Sequence, residues 1–138
     1  MFDLDTARAV FRSAPFVADV GIEPTAVAAG ECETMLVIEP RHLQHSGQVH
    51  AGVITTMADH TAGAAAHTLA GEGGFVLTAE LKLSLLRPAQ GERLVCRATV
   101  IKPGRQIMFT EAEVHCQRGD ESHLVAKLSA TMAVVARK

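Results

Sequence analysis

A chain of 138 residues, 48% hydrophobic and 20% charged, is too apolar for a disordered tail and long enough to remove about two-thirds of its unfolded surface from water in one core. A formal net charge of -2 with no Trp, no Tyr and no basic run excludes a general nucleic-acid surface. The sequence has no run of about 18 apolar residues for a membrane span, and MFDLDTARAV carries acids where a signal peptide has a basic start, so one domain over 1–138 in the cytoplasm is expected, with no membrane partner.

Residues 4–13, LDTARAVFRS, have the pattern of a short helix, and VADVGIEP and CETMLVIE read as strands around an AAGE turn. The polar RHLQHSGQ follows as a loop. From about Ala51 to Ala70 the alanine content, the spacing of Ile54, Met57, Ala58, Ala62, Ala65 and Leu69, and the stop GEGG predict one helix about 30 Å long. Beyond Gly74 the period becomes two. In FVLTAELKLSLLRP, Leu77, Ala79, Leu81, Leu83 and Leu85 point one way, and Thr78, Glu80, Lys82 and Ser84 the other.

Three further strands, in ERLVCRATVI, QIMFTEAEVHC and HLVAKLSATMAVV, are joined by turns at RPAQGE, KPGR and QRGDE. One long helix among five or six mainly antiparallel strands predicts an α+β fold with a curved sheet wrapped around the helix. Gly52, Ala58, Gly63 and the run Ala64 to Ala66 keep that helix thin. Cys32, Cys96 and Cys116 cannot all pair within one chain and lie in apolar alternating stretches, as small core side chains do.

Asp59 stands inside the apolar helix QVHAGVITTMADHTAGAAAHTLA, where a carboxylate is costly unless paired or hydrogen-bonded. Either it lies on an exposed face and bonds locally, or it serves as a general base or a nucleophile toward an electrophilic carbon. His50, nine residues earlier, lies about two and a half turns away, on the far side of the helix and about 13 Å along its axis. The two cannot grip one substrate atom within a chain, whereas a two-fold dimer brings the start of one helix toward the middle of its partner's. The unpaired N–H groups around Ala51 and Gly52 sit at the positive end of the helix dipole, suited to polarising an acyl carbonyl.

The stretch RHLQHSGQVHAG, followed by Ala58, Asp59, His60 and Gly63, resembles the motif of hotdog-fold acyl-CoA thioesterases of the phenylacetate-degradation type, in the 4-hydroxybenzoyl-CoA thioesterase superfamily. There, H-x-N-x-x-G-x-x-H-G-G is followed by an Asp nine residues after its second His. Gly47, His50, Gly52 and Asp59 keep this spacing, and the resemblance runs on through TAELKLSLLRPA and the strands beyond. It implies a hotdog fold that hydrolyses an acyl or aryl-acyl thioester to a free acid and coenzyme A. It further implies that Asp59 is the catalytic carboxylate, that the Ala51 N–H binds the thioester oxygen, and that His50, with Gly52 beside it, places the helix start. Gln44 stands in place of the usual Asn, and Thr78 falls where relatives hold water with a Ser or Thr, although period-two counting sets Thr78 with Glu80 and Lys82. No cofactor is implied, coenzyme A being part of the substrate; the assembly implied is a homodimer as catalytic unit within a homotetramer.

Arg87 before Pro88, and Lys102 with Arg105 around KPGR, lie at strand ends where cations meet coenzyme A phosphates. His42, His45, His50, His60 and His67 crowd one region, but H-x2-H-x4-H has no Cys partners and no H-E-x-x-H, so no metal is expected. The absence of G-x-S-x-G argues against a serine hydrolase. Two rival functions use the same fold. A hydratase or dehydratase needs a His and an acid on one substrate carbon, a placement the sequence does not show for His50, and a non-catalytic acyl-CoA binding protein has no use for Asp59. Met57, Phe16 and Phe75 are the candidates for the acyl pocket.

Overall fold

The computed structural model describes residues 2–136. In chain order the elements are α1 (Leu4–Ser13), α2 (Pro15–Val20), β1 (Glu23–Ala28), β2 (Glu31–Val37), α3 (Ala51–His67), β3 (Gly74–Leu85), β4 (Arg93–Lys102), β5 (Ile107–Arg118) and β6 (Glu121–Ala136), with a 3-10 turn at Pro40–His42. The strands form one sheet in the order β1-β2-β4-β5-β6-β3, antiparallel throughout. It wraps α3, which touches all six strands.

The alternation of β4, β5 and β6 decides which face meets the helix. Leu94, Cys96 and Ala98, then Ala112, Val114 and Cys116, then Ala126, Leu128, Ala130 and Met132 are buried, against Ile54, Met57, Ala58, Ala62 and Ala65 of α3. One polar pair crosses this layer. Thr61 Oγ1 donates to the Met57 carbonyl (2.6 Å) and therefore accepts from Thr34 Oγ1 (2.7 Å), a net contribution of about 1 kcal/mol that also fixes the rotation of α3. The three cysteines are buried and unpaired, and burial pushes the Cys32 and Cys96 thiols up to about 12.

Three expectations need correction. VADV is not part of a strand: it belongs to α2, which starts on Pro15 at its first position and ends at Gly21 in the left-handed region (φ 94°), so the first strand begins only at Glu23. Helix α3 stops at His67 rather than Ala70, where Thr68 Oγ1 donates to the Ala65 carbonyl and accepts from the Gly30 N–H, both at 2.7 Å.

The third correction bears on the site. Strand β3 carries a bulge at Ala79, so that Thr78 pairs with Met132 but Glu80 with Thr131. One extra residue reverses the alternation. Thr78 therefore faces the helix with Met132, Leu81 and Leu83, while Leu77 turns outward with Ala133. Strand β3 is also an edge of the sheet, with Leu77 and Leu85 each 53% exposed.

Candidate active site

The bulge delivers Thr78 to Asp59. Thr78 Oγ1 donates to Asp59 Oδ1 at 2.7 Å, and nothing else among the described residues bonds to that carboxylate. Asp59 is half-buried in a cavity of about 240 Å³ walled by Phe2, Phe11, His60, Gly63, Phe75 and Val76. Three of the five phenylalanines of the chain thus gather around one carboxylate. They can do so because α1, capped by Asp3 on the Thr6 N–H (2.9 Å), buries Ala7 and Phe11. The His60 ring stands edge-on to Phe11 (4.4 Å, 77°), and His67 edge-on to Phe2 (4.7 Å, 66°). Burial holds the His60 imidazole below its ordinary range, with the Asp59 charge opposing the shift. A neutral ring at pH 7 follows.

A second cleft opens at the start of α3. His50 is the N-cap: its Nδ1 accepts the Gly52 N–H at 2.8 Å. A Cβ on residue 52 would come to 3.0 Å from that nitrogen, so a larger residue there would press on the His50 ring. Of the two N–H groups singled out from the sequence, Gly52's is therefore occupied. Ala51's makes no hydrogen bond among the described residues.

Ala51 shares its cleft with Gln44, Gln48, Leu85, Leu86 and Arg87. The Gln44 side chain is tied within its own loop, Oε1 accepting from the Ser46 N–H and Nε2 donating to Gln48 Oε1, both at 3.0 Å. Gly47 closes that loop at φ 87°, its N–H on the Gln44 carbonyl (3.0 Å). Arg87 Nη1 donates to His123 Nδ1 (3.3 Å), and His123 Nε2 to Glu121 Oε2 (3.1 Å), so a carboxylate-imidazole chain orients the guanidinium at the mouth.

Asp59 and Ala51 line different cavities, eight residues and about 12 Å of helix apart. The fold does not bring them together within one chain. Nor does it bring Lys102 and Arg105 to Arg87: Lys102 ends β4 and Arg105 lies in the turn after it, at the opposite end of the sheet, with Lys102 Nζ on the Pro103 carbonyl (3.2 Å). Of the acyl-pocket candidates, Phe75 lines the Asp59 cavity, Met57 is fully buried in the core, and Phe16 is 67% exposed on the surface.

The histidines are dispersed. His42, buried, accepts the Glu39 N–H on Nδ1 (3.0 Å) and donates from Nε2 to the Val20 carbonyl (2.7 Å). Beside it Arg41 bridges Glu39 and the Asp19 carbonyl, so the opening of the motif clasps the end of α2. Among the described residues no three His, Cys, Asp or Glu side chains are grouped to hold a metal ion, and no helix is long and apolar enough to cross a membrane.

The family model of the thioesterase superfamily matches residues 46–123, from the loop before α3 into β6 and more than half of the chain. The chain belongs to that superfamily. Its fold is the hotdog, the sheet wrapped around the central helix. A solved thioesterase family protein from Silicibacter pomeroyi is 33% identical with a TM-score of 0.92, the match covering 95% of this chain and 96% of that one. A thioesterase from Haemophilus influenzae is 25% identical with a TM-score of 0.88 over 99% of this chain and 92% of that one. The E. coli protein of the phenylacetic acid degradation operon shares the fold at 18% identity, with a TM-score of 0.83 over 96% and 92% of the two chains. Thioester hydrolysis is the general chemistry that this superfamily membership brings.

The residues missed from the sequence alone are Phe2, Phe11, His60 and His67 as walls of the Asp59 cavity. The available signal was helical: His60, Gly63, Ala64 and His67 fall on the face that carries Asp59, while Ala62, Ala65 and Ala66 are fully buried.

Proposed function

We propose that the protein is an acyl-CoA thioesterase whose active sites form between two copies paired along β3. The observation that carries this reading is the Thr78–Asp59 hydrogen bond inside an aromatic-walled cavity. A carboxylate oriented by a hydroxyl, with its other oxygen open to an apolar cavity, suits activation of water or direct attack on a thioester carbon. The Ala51 N–H, free at the positive end of α3, suits the oxygen of the same carbonyl. On the water route Asp59 takes the proton of the attacking water as the C–O bond forms, collapse of the oxyanion breaks the C–S bond, and that proton passes to the departing thiolate. On the direct route an acyl-Asp59 anhydride forms as the thiolate leaves, and a water then hydrolyses it, its oxygen going to the acid and one proton to the thiolate. The acyl group, ring-bearing or aliphatic, lies in the Asp59 cavity.

Pairing reconciles the two clefts. The edge of β3 with exposed Leu77 and Leu85 is a template for another strand. Antiparallel pairing of two β3 strands, centred between Leu81 and Lys82, sets Thr78 opposite Leu85 of the partner subunit. Thr78 holds Asp59 and Leu85 lines the Ala51 cleft, so each carboxylate meets the other chain's helix start. The head-to-tail arrangement also turns the Lys102 and Arg105 end of one chain toward the Arg87 end of the other, around the coenzyme A phosphates. Leu77, Ile107 and Phe109, about half exposed on the outer face of the sheet, supply the surface that joins two dimers into a tetramer. Three unpaired cysteines suit the reducing cytoplasm.

The test is a panel of acyl-CoA esters, from acetyl to decanoyl and including crotonyl, benzoyl and phenylacetyl, with thiol release as readout and the products identified by mass. Release of free acid and coenzyme A from at least one ester is expected. A folded protein that turns over none of them, or that only hydrates an enoyl ester, overturns the reading.

A further inference from the structure

We infer that Gly63 is the specificity-determining residue for acyl size, leaving the helix wall beside Asp59 bare so that an acyl group larger than acetyl can lie along α3. The inference rests on the thioesterase reading of the Asp59 cavity and names which residue limits what enters it.

Gly63 lies in the middle of α3, where glycine costs about 1 kcal/mol relative to alanine. Such a residue needs a reason. Ala62, Ala65 and Ala66 around it are buried, so alanine suits this helix where it faces the sheet, and Ala64, which lines the same cavity, shows that a methyl is tolerated next to Gly63. A Cβ built on Gly63 meets no atom within 4 Å, and its φ lies outside the left-handed region. By contrast, a Cβ on Gly74, Gly91 or Gly104 would fall 2.8 Å or less from a backbone carbonyl oxygen. Those three are glycine because the chain leaves no room, whereas at Gly63 there is room and no side chain to fill it.

The empty space is the cavity. Gly63 lines it together with Asp59, one helical turn before, and His67, one turn after. Residues four apart on a helix sit about 5–6 Å from each other on one face. A group attached to a carbonyl held beside Asp59 therefore crosses Gly63 as its first neighbour on the helix. Beyond it lie the rings of Phe2, Phe11 and Phe75, with a His60 ring kept neutral by burial. The lining suits an apolar acyl group with a ring or several carbons, and a side chain at position 63 would occupy its path.

The experiment compares wild type, Gly63→Ala and Gly63→Leu on acetyl-, butyryl-, octanoyl- and phenylacetyl-CoA, with light scattering to record the oligomeric state. Relative to the acetyl ester, kcat/KM for the octanoyl and phenylacetyl esters should fall at least tenfold in Gly63→Leu and less in Gly63→Ala, while the Tm of Gly63→Ala equals or exceeds that of wild type. A parallel measurement takes Kd values of the same esters by calorimetry in the Asp59→Asn background, with and without Gly63→Leu; the large-to-small Kd ratio should rise by the same factor. Ratios that do not move in folded protein overturn the inference. So does an equal fall for every ester accompanied by loss of the dimer, which would make Gly63 a contact between subunits. A wild-type protein that turns over no ester sinks the thioesterase reading, whereas an unmoved Kd ratio sinks this inference alone.

Discussion

The two clefts of this chain differ in what each lacks. The Asp59 cavity has a carboxylate oriented by Thr78 and a wall of aromatic rings, but among the described residues no Lys or Arg lines it to meet a phosphate. The Ala51 cleft has the free N–H and an oriented Arg87, but no carboxylate lines it. On the proposed reading, each is half of a hydrolase. The contrast suits the proposed pairing of two copies, which would account for the half-turn offset between His50 and Asp59 that the sequence displays.

The sharpest way to break this division of labour is to remove the carboxylate. Asp59→Asn should leave the circular dichroism spectrum unchanged and lower kcat about a hundredfold or more, as loss of a base or nucleophile does. Unchanged thiol release would reassign the chemistry to another group. Next in size is a mixing experiment. Ala51→Pro removes the free N–H where proline is tolerated, in the first turn of a helix, so the variant should fold and lose activity. Co-expressed with Asp59→Asn, half of randomly assembled dimers are mixed, and each mixed dimer has one intact site if the halves come from different chains. About a quarter of wild-type activity should return when the defects are independent. Activity held at the parental level, with mixed dimers confirmed by mass, would confine the site to one chain.

Which parts were legible in the sequence follows from how local their causes are. Helix α3 was readable because its small buried residues recur at helical spacing and its stop is rich in glycine. The six residues of α2 were not, because Val17 and Val20 look like strand residues and a single turn has too few positions to establish a period; only Pro15 and Gly21 marked its ends. Counting failed at Thr78 since one inserted residue, Ala79, reverses every face before it, and a bulge has no fixed sequence mark. The motif resemblance pointed to Thr78 where the periodicity did not. His50's grip on the Gly52 N–H depends on a side-chain rotamer, and the aromatic wall depends on α1 crossing to α3. Both are tertiary facts.

Two smaller effects sharpen the comparison from either side. In the Asp59 half, Thr78→Ala removes a hydrogen bond to a charged group, commonly worth about 1.5–3 kcal/mol, and should lower kcat about tenfold, with Thr78→Ser recovering most of it. A Thr78→Ala enzyme with full kcat would make that bond structural only. In the Ala51 half, Arg87→Ala should raise KM for a coenzyme A ester up to about fivefold, the scale of an exposed ion pair. It should leave KM for the matching N-acetylcysteamine thioester, which lacks the phosphates, where it was. Equal changes for both thioesters would remove Arg87 from phosphate binding.

The smallest effect concerns the neutral ring in the aromatic half. Burial lowers the His60 pKa in the folded protein, against the opposing charge of Asp59. As pH falls below the ordinary imidazole value of about 6.5, the unfolded chain takes a proton at this position that the native chain resists. Stability contributed by the neutral ring is therefore present above about pH 6.5 and is lost as pH drops toward the native value. His60→Gln, which cannot titrate, should flatten the fall of Tm between pH 7.5 and pH 5.5 by roughly one to three degrees. Asp59→Asn should do the reverse: with the carboxylate gone, nothing offsets burial, the His60 pKa falls further, and Tm drops more steeply over the same range. A slope that Asp59→Asn leaves unchanged would mean that the carboxylate and the ring do not sense each other across the cavity, and with that the Asp59 half-site would lose the low-dielectric surroundings on which its proposed chemistry depends.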